Sequence, residues 1–74
     1  MRDWLKDIRM EKDLTQSKVA EKANIERAYY TMIELGARKP SVTVAKSIAR
    51  VLNFNWTLFF EEKSNETLRK TNSA

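Results

Sequence analysis

A single glycine and a single proline punctuate all 74 residues, and they stand four positions apart, at Gly36 and Pro40. The two residue types that most disrupt helices, one through backbone freedom and one through a missing N–H, are therefore confined to one connection. With 32% of residues charged, the rest of the chain favours helices over strands. A chain of this length forms one domain and buries only about 60% of its unfolded surface, so the helices must be short and the core small. No apolar run approaches the roughly 18 residues of a membrane span, and no signal-peptide pattern opens the chain. A cytoplasmic location without a membrane partner is expected.

Helical periodicity places the elements. Trp4, Leu5 and Ile8 share one face of a first helix over 2–12, and Asp13 ends the pattern. Thr15 reads as the N-cap of a second helix, 16–23, whose inner face is Val19, Ala20 and Ala23. Asn24 tolerates the left-handed conformation of a helix stop, and Ile25 is expected to be buried in the turn. A third helix over 26–34 turns Tyr30 and Ile33 inward, and Gly36 closes it. After the basic loop Ala37-Arg38-Lys39-Pro40, Ser41 caps a fourth helix with Val44 or Ala45, Ile48, Val51 and Leu52 inward. Asn55 caps a short fifth helix through Phe60. The expected architecture is an all-α, compact bundle of four to five short helices over 1–60, with 61–74 a polar extension or tail.

Charge is unevenly spread. Residues 1–14 and 61–74 each cancel, so the net +4 falls within 15–60, where Lys18, Lys22, Arg27, Arg38, Lys39, Lys46 and Arg50 face Glu21, Glu26 and Glu34. A local basic excess suits either a polyanion or a plain solvated surface. The chain holds no cysteine and no histidine, which removes disulfides, thiolate metal sites and the commonest general base and zinc ligand. No catalytic residue, metal ligand or cofactor site is expected, and the carboxylates are scattered over helix surfaces.

The specific signal is a series in fixed order: Leu14-Thr15-Gln16, Val19-Ala20, Ile25, Ile33-Glu34-x-Gly36, Arg38-Lys39-Pro40-Ser41 and Leu58-Phe59-Phe60. Together with the turn Ala23-Asn24-Ile25-Glu26, this series resembles the Cro/repressor-like (XRE-type) helix-turn-helix family over residues 4–60. The resemblance implies a lambda-repressor-like fold and binding to double-stranded DNA.

The family's roles carry over position by position. Gln16 resembles a glutamine that contacts the DNA backbone and braces the recognition helix, and Thr15, Gln16 and Ser17 begin a helix whose unpaired N–H groups suit a phosphate. Arg27, Ala28, Thr31 and Met32 match positions that face the major groove. Arg27 can fork onto guanine O6 and N7 or contact a phosphate, and Ala28 and Met32 can pack on a thymine methyl. Tyr29 either reaches a phosphate or packs on the second helix. Glu26 departs from the small polar residues usual at its position; it either caps the third helix or accepts from a cytosine amino group. Leu35 departs too, where family members often use asparagine to meet phosphate. Arg38 and Lys39 are the better backbone candidates, against the plainer reading of a solvated loop. The resemblance also pairs Arg9 with Glu34 as a buried structural ion pair.

Three large aromatics, Trp56, Phe59 and Phe60, exceed what one short helix buries, so part of the cluster is expected to stay exposed and serve a dimer interface, as the family's fourth and fifth helices commonly do. The function expected is sequence-specific binding of a pseudo-palindromic operator as a homodimer, most simply as a repressor. The other reading is a protein-interaction module on the same fold, favoured by Glu26, Leu35, Ala28 and Met32. Residues 61–74 are too few and too polar for a ligand-sensing domain, so no small-molecule effector is expected. Control would come through concentration, autoregulation, proteolysis or a regulatory protein partner, as in a phage repressor, an antitoxin or a restriction–modification controller.

Overall fold

The computed structural model describes residues 1–61, and the polar segment expected over 61–74 lies outside the described residues apart from Glu61. Four helices run α1 Asp3–Glu11, α2 Gln16–Ala23, α3 Arg27–Leu35 and α4 Val42–Leu52. A further helical stretch begins at 58 and continues to the end of the described residues. Among those residues there is no strand, and no helix is long and apolar enough to cross a membrane.

Local chemistry sets the ends. The Thr15 hydroxyl accepts from the Lys18 N–H at 3.0 Å, and the Ser41 hydroxyl accepts from the Val44 N–H at 3.2 Å, each satisfying a first-turn donor that the helix leaves without a partner. Asn24, Asn53 and Gly36 close α2, α4 and α3 in the left-handed region, at φ 60°, 62° and 84°. Asp13 also takes φ 60° and turns the chain out of α1. Glu26 differs from one expectation. Its backbone is extended and its side chain makes no capping hydrogen bond, so α3 starts one residue later, at Arg27.

The core is shared by every element: Leu5 from α1, Val19, Ala20 and Ala23 from α2, Tyr30 and Ile33 from α3, and Ala45, Ile48, Ala49 and Leu52 from α4. On α4, Ala45 rather than Val44 points fully inward, Val51 stays half-buried, and Ala49 joins the core because α2 packs closely against this face. Ile25 is half-buried rather than buried. Phe59 seals the far end, 2% exposed, with its ring centroid 5.2 Å from Trp4 and 5.6 Å from Phe54 in edge and tilted contacts. The Asn55 carboxamide accepts from the Thr57 N–H at 3.0 Å and from its hydroxyl at 2.8 Å. The bonds beyond it, from the Leu58, Phe59 and Phe60 N–H, reach back three residues, so the helical stretch opens tightly wound, and the Glu61 N–H then reaches back four, to Thr57.

Candidate nucleic-acid interface

α2 and α3 are separated by three residues, Asn24, Ile25 and Glu26, and pack directly on each other. The turn closes when the Ile25 N–H donates to the Ala20 carbonyl at 2.9 Å. Packed this way, α3 buries one face through Tyr30, Ile33 and Glu34 and leaves Arg27 and Ala28 exposed on the other. Met32 is 43% exposed and Leu35 52%, large values for apolar side chains in a small domain.

A polar joint fixes α3 from below. Glu34 is 2% exposed, and its carboxylate accepts from Arg9 Nε at 2.7 Å and Arg9 Nη2 at 3.1 Å, from the Tyr30 hydroxyl at 2.7 Å and from Gln16 Nε2 at 2.9 Å. Arg9 also donates to the Leu14 carbonyl at 2.8 Å, tying the end of α1 to the same point. Burial pushes the Glu34 carboxyl up, but the hydrogen bonds from Arg9, Tyr30 and Gln16 outweigh it and hold the group below the usual carboxylate range. The hydrogen bond to Glu34 raises the Arg9 guanidinium in turn. Burial, then the bond to Glu34, pushes the Tyr30 hydroxyl well up, so it remains a donor.

Gln16 is the hinge between this joint and the outer face. Its Nε2 donates to Glu34 while its Oε1 accepts from the Thr31 hydroxyl at 2.9 Å. Thr31 is consequently half-buried and turned toward α2, at the edge of the exposed face that Arg27, Ala28 and Met32 form. Thr15 and Ser17 are exposed beside Gln16, and these three line an open hollow of about 360 Å³ together with Arg27. Asp13 shares that hollow and opposes an anion there.

The basic loop sits at the other end of α3. Arg38 and Lys39 are exposed. The Arg38 guanidinium lies 5.5 Å from the centre of the Tyr29 ring, which is itself half-buried, so Tyr29 serves as a platform for a cation. Lys39 lies 5.3 Å from the Phe60 ring and Lys46 5.1 Å from the Trp56 ring. Trp56 and Phe60 are half-buried, with their rings 5.9 Å apart. Phe59, expected beside them on a contact face, is instead enclosed by the core and has no surface to offer a partner.

Sequence reasoning overlooked Arg2. An arginine next to the start of a chain reads as solvated, yet this one is 8% exposed. Its Nη1 donates to the Ile33 carbonyl at 2.6 Å and the Arg38 carbonyl at 3.2 Å. No periodic pattern announces such contacts, because these two acceptors are backbone carbonyls more than thirty residues away. Among the described residues no group of three or more His, Cys, Asp or Glu side chains is placed to hold a metal ion.

Two helices locked at a short turn, the second lying open above a satisfied polar joint, define the helix-turn-helix class. The chain belongs to the Helix-turn-helix family, whose sequence model matches residues 5–59. It is 61% identical over 67 residues to the uncharacterized HTH-type transcriptional regulator YqaF of Bacillus subtilis (strain 168), a match spanning 90% of this chain and 88% of that protein. It is 37% identical over 62 residues to a second such regulator of that bacterium, YqaE, covering 84% of this chain and 53% of the relative. It is also 37% identical over 70 residues to the immunity repressor protein of Bacillus phage phi105, covering 95% of this chain and 46% of that repressor. No solved structure matches the chain.

Proposed function

We propose that this chain is a transcriptional regulator that binds a pseudo-palindromic duplex operator as a homodimer and represses from it. The observation that carries the reading is the outer face of α3: Arg27, Ala28 and Met32 stand in solvent, held by Gln16 and Glu34 from beneath, with Arg38 and Lys39 at the C-terminal end. With its side chains an α-helix is about 10–12 Å across, a fit to the roughly 12 Å width of a major groove, and the nine residues of α3 give it about 13 Å to lay along that groove. Arg27 supplies the fork for guanine, Ala28 and Met32 the apolar surface for a thymine methyl, and Thr15, Gln16, Ser17, Tyr29, Thr31, Arg38 and Lys39 surround them as positioning groups. The names of the relatives support regulation, and the phage relative supports repression.

The dimer rests on Trp56 and Phe60, which lie beside Lys46 and Lys39 at the surface formed by α4 and the helical stretch from 58. Two copies joined there would set two α3 helices in successive major grooves about 34 Å apart. We place the protein in the cytoplasm, where its operator is, and assign it no catalytic activity, no small-molecule effector and no cofactor. A regulatory protein partner remains part of the proposal for how repression is relieved. Selection from a random duplex pool tests the reading. An enriched inverted repeat with half-sites one helical turn apart is expected; a pool that stays random removes it.

A further inference from the structure

We infer that Arg2 is a positioning residue for the phosphate-contacting loop, although its own guanidinium is enclosed and reaches no ligand. The inference rests on the reading of α3 and its loop as a duplex-binding surface.

Arg2 occupies the N-cap position of α1 but makes no side-chain cap there. It runs instead to the opposite end of α3. Its backbone N–H donates to the Glu34 carbonyl at 2.8 Å, and its Nη1 donates to the Ile33 and Arg38 carbonyls at 2.6 and 3.2 Å. Ile33 and Glu34 belong to the last turn of α3, where the helix dipole is negative and a cation is favoured; the Ile33 carbonyl there also accepts from the Gly36 N–H at 3.1 Å. The third carbonyl belongs to the loop itself. One buried side chain thereby fixes the distance between the end of the recognition helix and the backbone that launches the Arg38 side chain.

Two neighbours make this anchor stiff. The Arg2 guanidinium lies 5.8 Å from the Phe59 ring, inside the aromatic end of the core. At Gly36, whose φ is 84°, an added Cβ would stand 3.2 Å from the Met1 nitrogen, so the start of the chain presses on the turn between α3 and the loop. Arg38 then projects from a backbone clamped on one side by Arg2, with its guanidinium resting on Tyr29.

The test compares Arg2→Met and Arg2→Lys with the unaltered protein, measuring affinity for a mixed-sequence duplex across a salt series at low temperature, with folding verified by far-ultraviolet circular dichroism. Each phosphate contact contributes about 0.9 to the slope of log K against log salt. Both variants are expected to lose about one contact's worth of slope. Neither is expected to lower it further in an Arg38→Ala background, since Arg2 acts through Arg38. Loss of fold stability alone would leave the slope of the folded protein unchanged. Arg2→Lys keeps the charge but cannot bridge two carbonyls in the same way, and it carries the test should Arg2→Met fail to fold. An unchanged slope in folded Arg2→Lys overturns the inference, including the case where only Arg2→Met loses slope and charge alone is at work. A flat salt response from the unaltered protein overturns the duplex-binding reading and this inference together, an outcome distinct from the other two.

Discussion

Replacing Arg9 with methionine keeps much of the side chain's apolar volume and removes two of the four hydrogen bonds that hold the Glu34 carboxylate. What remains is an ionised group 2% exposed, facing only the neutral donors of Tyr30 and Gln16. Breaking one side of such a pair costs about 3–5 kcal/mol. A domain of this size holds about 4–11 kcal/mol in all, so the variant should sit near the edge of unfolding. At about 4–8 °C per kcal/mol, the melting temperature should fall by at least about 12 °C.

The pH dependence should reverse. In the unaltered protein the Glu34 carboxyl titrates below its unfolded value, so its stabilising effect is present above the unfolded value and disappears as pH falls through the folded one. In Arg9→Met the burial remains, with the neutral Tyr30 and Gln16 donors but without the cation, so the carboxyl should rise above its unfolded value and acidification should then stabilise. The gap between the two proteins should be widest near neutrality and narrow toward about pH 4. Urea titrations at several pH values, followed by tryptophan fluorescence and circular dichroism, measure it. The double variant Arg9→Met/Glu34→Gln, which buries no charge, should recover much of the loss near pH 7. A loss under about 1 kcal/mol that is independent of pH would refute the reasoning and reduce the pair to a screened surface contact.

Phe59→Ala should cost about 3–5 kcal/mol in denaturant titration, since the ring fills the core beside Trp4 and Phe54. Phe60→Ala and Trp56→Ala should cost far less while shifting sedimentation equilibrium toward monomer; a monomeric starting protein would contradict the proposed interface. Thr15→Ala and Ser41→Ala should each lower stability by about 1 kcal/mol through a lost cap, checked by thermal melts. Arg27→Ala should relax one operator position by about 1–3 kcal/mol in competition binding, whereas Lys39→Ala should weaken all duplexes alike.

The elements were legible because local chemistry sets their ends. Thr15, Asn24, Gly36 and Ser41 each signal a boundary through their own backbone or hydroxyl preference, and each stands where it signals. The family resemblance, not periodicity, led to Arg9 and Glu34, whose contact joins α1 to α3 across 25 residues of sequence. Glu26 carried two readings, a cap or an acceptor for a cytosine amino group; the first does not hold, since its side chain is exposed and makes no cap. The fate of the aromatic cluster was illegible for a different reason. Trp56, Phe59 and Phe60 are all large aromatics, and the direction in which the chain coils after Asn55 selects Phe59 for the interior. Arg2 gave no signal at all, since the contacts described for it include carbonyls, which every residue possesses.

The joint of Gln16, Thr31, Glu34, Tyr30 and Arg9 has a consequence for the thermodynamics of encounter. Because these groups already satisfy one another, α3 is held in place before anything approaches it, and the proposed docking on a duplex should freeze few further torsions. Calorimetry of complex formation should therefore return a heat-capacity change set by the contact area alone, without the larger signature of a segment that folds as it binds.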